Sequence, residues 1–142
     1  MQLTVLDSHK PEQDFPLLKE SMTPTKTLQE ANLRQFTGTE TWYRHPLARN
    51  MLYTDGAQYV AEQGGAYWLL DALAFAQAIP AVAAESFQFW TPTVRPDHAA
   101  TLVCEDGNGK VVHTQEIPFT DFPLPVIKFY VTDNVILLPS EY

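Results

Sequence analysis

The chain has 142 residues, of which 45% are hydrophobic, 12% aromatic and 18% charged, with a formal net charge of −8. That length and composition fit one globular domain with a single core and exclude a disordered chain. Seventeen acidic against nine basic residues exclude an ordinary phosphate-binding surface, which needs clustered Lys and Arg.

The first 26 residues, with Pro11, Pro16 and Pro24 among mixed charges, read as a poorly ordered arm, with Leu3–Leu6 as a short strand within it at most. The opening MQLTVLDSHKPEQD lacks the basic start and apolar run of a secretory signal. Residues 27–142 then form a single domain. Thr27 and Glu30 stand at capping-box spacing, so Leu28, Ala31, Leu33 and Phe36 give the apolar face of a short helix ended by Gly38. Thr37–Asn50 has no sustained period and reads as a loop, with Trp42 and Tyr43 folded against the core and His45 held extended by Pro46.

Tyr53–Ile79 is a helical hairpin. Thr54 or Asp55 caps its first helix, and Gly64 takes the left-handed position that ends it. The second helix, Ala66–Ile79, is apolar except for Asp71 and Gln77, so it is expected to be covered on nearly all sides and stopped by Pro80. Asp71, Gln77 and Pro80 also leave this segment short of a membrane span. No Lys or Arg lies between Arg49 and Arg95, while Asp55, Glu62, Asp71 and Glu85 do. A helix-turn-helix contacting DNA is therefore rejected, because no cation is there to meet the backbone.

From Ser86 the pattern changes to period two. Ser86–Val94 reads as a half-buried strand interrupted near Pro92. Ala99–Glu105 and Lys110–Pro118 flank Asp106-Gly107-Asn108-Gly109, a hairpin turn. Pairing Glu105 with Lys110 sets Val103 opposite Val112 and Thr101 opposite Thr114. A two-residue Asn108-Gly109 turn would instead set Cys104 against His113. After the Pro-bounded linker FTDFPLP, Val126–Val131 and Val135–Leu138 make a last hairpin around Asp133-Asn134. The fold class is α+β: a helical hairpin packed on one face of a four- to five-stranded antiparallel meander sheet.

Common catalytic signatures are absent: no GxGxxG, GxxxxGK, GxSxG, HExxH or CxxC occurs. His9, His45, His98 and His113 are scattered, so no metal-ligand spacing and no cofactor are indicated. The lone Cys104 excludes an internal disulfide and reads as a buried structural thiol rather than half of a Cys–His pair. The binding candidates are Trp42, Tyr43, Arg44 and His45, which combine aromatic surface, a donor fork and a titratable ring, together with Asp55 and Asp71. Asp71 shares a helix face with Tyr67, Trp68 and Phe75, and its simplest role is to accept hydrogen bonds from a Trp, a Tyr or the Arg44 segment. Asp55 reads first as a cap. Arg44 is expected to pair with Asp55 or Asp71.

The strings FTGTETWYRHPL, LYTDGAQYVAEQGGAYWLLD, CEDGNG, IPFTDFPL and LLPSEY resemble a family of small bacterial proteins of unknown function found in assorted bacterial and mobile-element settings. The likeness runs from Leu33 to Tyr142. It implies one compact domain and no assigned activity, cofactor or catalytic residue. A mobile-element setting favours a regulatory or inhibitory role. The leading expectation is a cytoplasmic, non-catalytic binding or regulatory protein acting through protein contact, with Trp42–His45 and the start of the hairpin at the surface. One version is an acidic inhibitor occupying a basic groove of its partner. The alternative is a small hydrolase-like enzyme using His45 with Asp55 or Asp71. A small-ligand sensor is a third reading, and a homodimer through the apolar Val135–Leu138 edge and the alanine-rich helix is a further expectation.

Overall fold

A computed structural model describes residues 4–7, 28–29, 33, 35–36 and 41–142. Among the described residues eight strands form one sheet: β1 (Thr4–Asp7), β2 (Thr41–Arg44), β3 (Leu52–Thr54), β4 (Phe87–Val94), β5 (Ala100–Glu105), β6 (Val111–Ile117), β7 (Phe129–Thr132) and β8 (Val135–Leu137). Between β3 and β4 lie the helices α1 (Asp55–Gly64), α2 (Tyr67–Ala76) and the short α3 (Pro80–Ala83). The strand order is β1-β2-β3-β8-β7-β4-β5-β6. β1 pairs with β2 and β3 with β8 in parallel; the other neighbours are antiparallel.

The α+β class holds, but the four- to five-stranded meander is corrected in two ways. Among the described residues three strands precede α1, and Trp42–Arg44 is strand rather than loop. Only β4, β5 and β6 run as a meander, because β7 pairs with the far side of β4 instead of following β6. Burial explains that choice. Phe129 and Val131 of β7 are buried, whereas β6 is mostly exposed and suits an edge. The linker between Ile117 and Phe129 carries the chain back. As a result Val135–Leu137 is no edge, since β8 sits between β3 and β7.

Thr54 is the cap of α1, its hydroxyl accepting from Ala57 N at 3.2 Å. The helix ends one residue later than expected. Gly65, not Gly64, takes the left-handed conformation at φ 63°, while Gly64 is the last helical residue. Gly64 is needed for another reason: a Cβ there would lie 2.7 Å from the ring of Phe122. Pro80 does not stop α2, which ends at Ala76; it opens α3 at a first-turn position, where its missing N–H costs nothing.

β4 runs through Pro92 to Val94 without the expected interruption. Its pairing with β7 ends at Trp90, so the N–H that proline lacks is not required on that side. In the β5–β6 hairpin the expected Glu105–Lys110 register is also corrected: Cys104 faces His113, Val103 faces Thr114 and Glu105 faces Val111. A bulge in β6 between Val111 and His113, opposite Cys104 and Glu105, shifts the register, while Gly109, at φ 86°, closes a turn in which Asp106 accepts from Asn108 N and Lys110 N. These amides hold the Asp106 carboxyl below the usual carboxylate range. Asp133 and Asn134, at φ 53° and 63°, make the two-residue turn between β7 and β8 that positive φ at both positions requires.

The core is closed by buried polar contacts as well as by Leu69, Leu70, Leu73, Leu102 and Phe129. Gln77 and Gln88 exchange amide hydrogen bonds at 2.9 and 2.8 Å, and the Gln88 oxygen also accepts from the indole of fully buried Trp90. Glu141, in a final 3-10 turn, reaches back to the start of α1. Its carboxylate accepts from Thr54 Oγ1 at 2.6 Å, Gly56 N at 2.9 Å and Leu138 N at 2.9 Å. A Cβ at position 56 would lie 2.6 Å from Glu141 Oε1, so only glycine permits this approach.

The short helix expected from Thr27 and the order of the N-terminal arm fall largely outside the described residues. Within them Thr4–Asp7 is β1, and Leu28 is buried in the core.

Candidate functional site

α2 carries more apolar surface than one sheet face can cover. Leu69, Leu70, Leu73, Ala74 and Ala76 are buried, but Tyr67 and Phe75 are 40% and 48% exposed, contrary to the expectation of near-complete cover. Trp68, Asp71, Ala72 and Phe75 follow one another at intervals of three, one and three residues and form one stripe. This stripe makes one wall of a groove of about 570 Å³ whose other wall is Gln115 and Ile117 of β6 and Phe119–Asp121 of the linker. That size lies in the range of small-molecule and peptide side-chain pockets.

His45 comes to the same stripe from the other end of the sheet. It follows β2 directly, and its Nε2 lies 2.7 Å from Asp71 Oδ1. β2 and β6 are six places apart in the strand order, yet both lead to residues at α2. The sheet must therefore curl around the helices. The His45 side chain is 2% exposed and that of Asp71 is 48% exposed. His45 Nδ1 accepts from Leu47 N at 3.1 Å and Ala48 N at 2.9 Å, while the Phe75 ring meets the imidazole edge-on at 5.5 Å. With Nδ1 accepting two amides, the ring proton sits on Nε2 and is donated to Asp71. Neither nitrogen has a lone pair free for a substrate proton. The imidazole fixes the carboxylate in place, and the carboxylate faces the groove.

The linker is displayed rather than loose. Thr120 N donates to His98 O at 2.8 Å, and Thr120 Oγ1 accepts from Phe122 N at 3.1 Å. Phe122 is buried against Gly64, which leaves Phe119, 67% exposed, standing beside His98 at 5.5 Å. Asp121 lines the groove with Asp71.

The six expected site residues do not make one cluster. His45 and Asp71 meet. Tyr43 hydrogen-bonds Asp55 and stacks on Tyr53 at 5.6 Å; burial first, then the Asp55 charge, raises the Tyr43 phenol. Arg44 pairs with neither aspartate: its Nη1 donates to Arg49 O at 2.9 Å, because strand alternation turns it away from Tyr43. Trp42 is half-buried, and among the described residues its Nε1 has no partner. Sequence reasoning missed Gln115, Ile117, Phe119, Thr120 and Asp121. The one available signal was an aromatic and an acid displayed between Pro118 and Pro123.

Cys104 lies opposite His113 across the β5–β6 pair. It is buried, and desolvation, reinforced by the charges of Glu85, Glu105 and Asp106, pushes its thiol up to about 12. A protonated thiol is no nucleophile at neutral pH. An aromatic disulfide reagent at pH 8 should leave the folded protein unlabelled and titrate one thiol after denaturation; rapid labelling of the native state would contradict this.

Among the described residues no group of three or more His, Cys, Asp or Glu is placed to hold a metal ion, and no helix is long and apolar enough to cross a membrane. A family model described as a family of unknown function, DUF6876, matches residues 27–142, and the chain belongs to that family. No curated protein and no solved structure matches it.

Proposed function

We propose that this member of DUF6876 is a non-catalytic binding module that engages a partner protein through the groove between α2 and β6. The observation that carries this reading is the His45–Asp71 pair. A buried imidazole, with both nitrogens committed, holds a carboxylate at the edge of an aromatic groove. A hydrolase using His45 as its base would need a free ring nitrogen, and this arrangement has none. The groove instead suits a cation flanked by apolar groups: Trp68, Phe75 and Phe119 offer rings, Asp71 and Asp121 offer charge. No Lys or Arg interrupts the acidic span from Asn50 to Val94. A regulatory or inhibitory role fits such a surface, because it can occupy a basic, apolar segment of another protein. The contact surface lies at the middle of α2 and the Phe119 linker rather than at Trp42–Arg44.

A photoreactive phenylalanine analogue at position 119, introduced in cells of the native host, should give adducts of discrete mass. Asp71→Asn should abolish them, and the same analogue at exposed position 142 should not produce them. Adducts indifferent to Asp71→Asn, or none at position 119, would overturn the groove as the binding surface. Raising ionic strength should weaken capture, since the attraction of an exposed carboxylate is screened.

A further inference from the structure

Resting on the groove as a protein-binding site, we infer that its occupant is an extended segment that adds to the sheet as a strand beside β6. β6 is seven residues long, mostly exposed, and among the described residues it pairs with β5 alone. Its outer row of N–H and C=O groups therefore lies open on the described face. Edge strands are normally blunted by shortness, proline, outward charge or a bulge. The bulge of β6 lies at its Val111–His113 end, and His113–Ile117 form a regular ladder with Ala100–Cys104. Residues 111–117 contain no proline and one charge, Glu116. That carboxylate is turned to the face away from the groove, where it binds Arg95 at 3.0 Å and Thr101 Oγ1 at 2.9 Å. The guanidinium, and then the Thr101 hydroxyl, hold it below the usual carboxylate range. Gln115 and Ile117 alternate with it and line the groove.

A strand laid beside β6 sends every second side chain toward α2, about 7 Å apart. Those side chains enter the space lined by Trp68, Phe75 and Phe119 and reach Asp71. The segment that fits carries Lys or Arg with an apolar residue two places away, and main-chain bonds supply the rest of the affinity. Charge selects against a second copy of this chain, because each molecule carries a net charge of −8 and the groove itself is acidic.

The test is selection from a phage-displayed library of random linear dodecapeptides on the full-length protein. Enriched peptides should carry a cation with an apolar residue at the second position before or after it. N-methylation of alternate amides in a synthetic copy should lower affinity at least about tenfold in one register and little in the other. Phe119→Ala and Asp71→Asn should each lower it by about tenfold or more, the first at an exposed position where folding is not at stake. Peptides that need Asp71 and Phe119 but tolerate methylation in both registers would overturn strand addition and leave the groove reading standing. Enrichment of peptides indifferent to both substitutions, or of none, would overturn both. Concentration-dependent self-association lost on Val112→Lys would also overturn the proposal, naming a second copy as the occupant.

Discussion

Glu141→Ala should cost about 3–4 kcal/mol of stability and lower the thermal midpoint by roughly 10 °C. The carboxylate accepts from Thr54 Oγ1, Gly56 N and Leu138 N, all buried. Truncation leaves two backbone amides and a hydroxyl without their acceptor. It also removes an anion from the positive end of α1, a smaller loss of about 0.5–1 kcal/mol that falls within the total. Glu141→Gln keeps the shape and one acceptor oxygen, so about half the loss should return. Gly56→Ala should act through the same contact, since its Cβ would intrude to 2.6 Å from Glu141 Oε1. Urea titrations placing Glu141→Ala within about 1 kcal/mol of the parent would show that the latch contributes little.

His45→Ala should destabilise by about 2–4 kcal/mol, and Asp71→Asn by much less. The difference follows from burial. His45 is 1% exposed and accepts from Leu47 N and Ala48 N, so its loss opens a cavity and orphans two amides. The Asp71 side chain is 48% exposed, and an asparagine oxygen can still accept from His45 Nε2. Asp71→Asn therefore separates function from folding: it should leave the denaturation midpoint nearly unchanged while removing capture at position 119. Equal destabilisation by the two variants would mean that Asp71 is chiefly structural. His45→Ala should also blur the position of the carboxylate, so at temperatures where it remains folded its capture should fall as well.

The parts legible in the sequence were those set by local chemistry. Asp133-Asn134 and Asp106–Gly109 announce turns through residues that tolerate positive φ, and both turns are present. The helical segments between Asp55 and Ala76 follow from glycine and alanine placement, with an error of one residue at the left-handed cap. The His45–Asp71 contact was among the pairings the residue types allowed. The rest depends on distant partners. β2 and β3 are four and three residues long, too short for a period, and form because Leu52 and Tyr53 find Val135 and Ile136. The Cys104–His113 register turns on a bulge at Val112, opposite Cys104 and Glu105, which composition does not decide. The Phe119–Asp121 wall is invisible in the sequence because its partner, the α2 stripe, lies more than forty residues earlier.

One topological fact reaches into how the chain acquires its shape. β8 is the strand that joins β1-β2-β3 to β7-β4-β5-β6, and it pairs in parallel with β3 through Leu52 and Val135. On a ribosome, everything up to Asn134 can emerge before the two portions of the sheet have anything to bridge them. The β4–β5–β6 hairpins can close early because their contacts are local, whereas β3 must wait for a partner more than eighty residues downstream. Synthesis therefore passes through a stage in which β3 has an open side, and the arrival of residues 135–141 both seals that side and delivers Glu141 to α1. Closing the sheet and bringing Glu141 to the start of α1 thus depend on the same short segment.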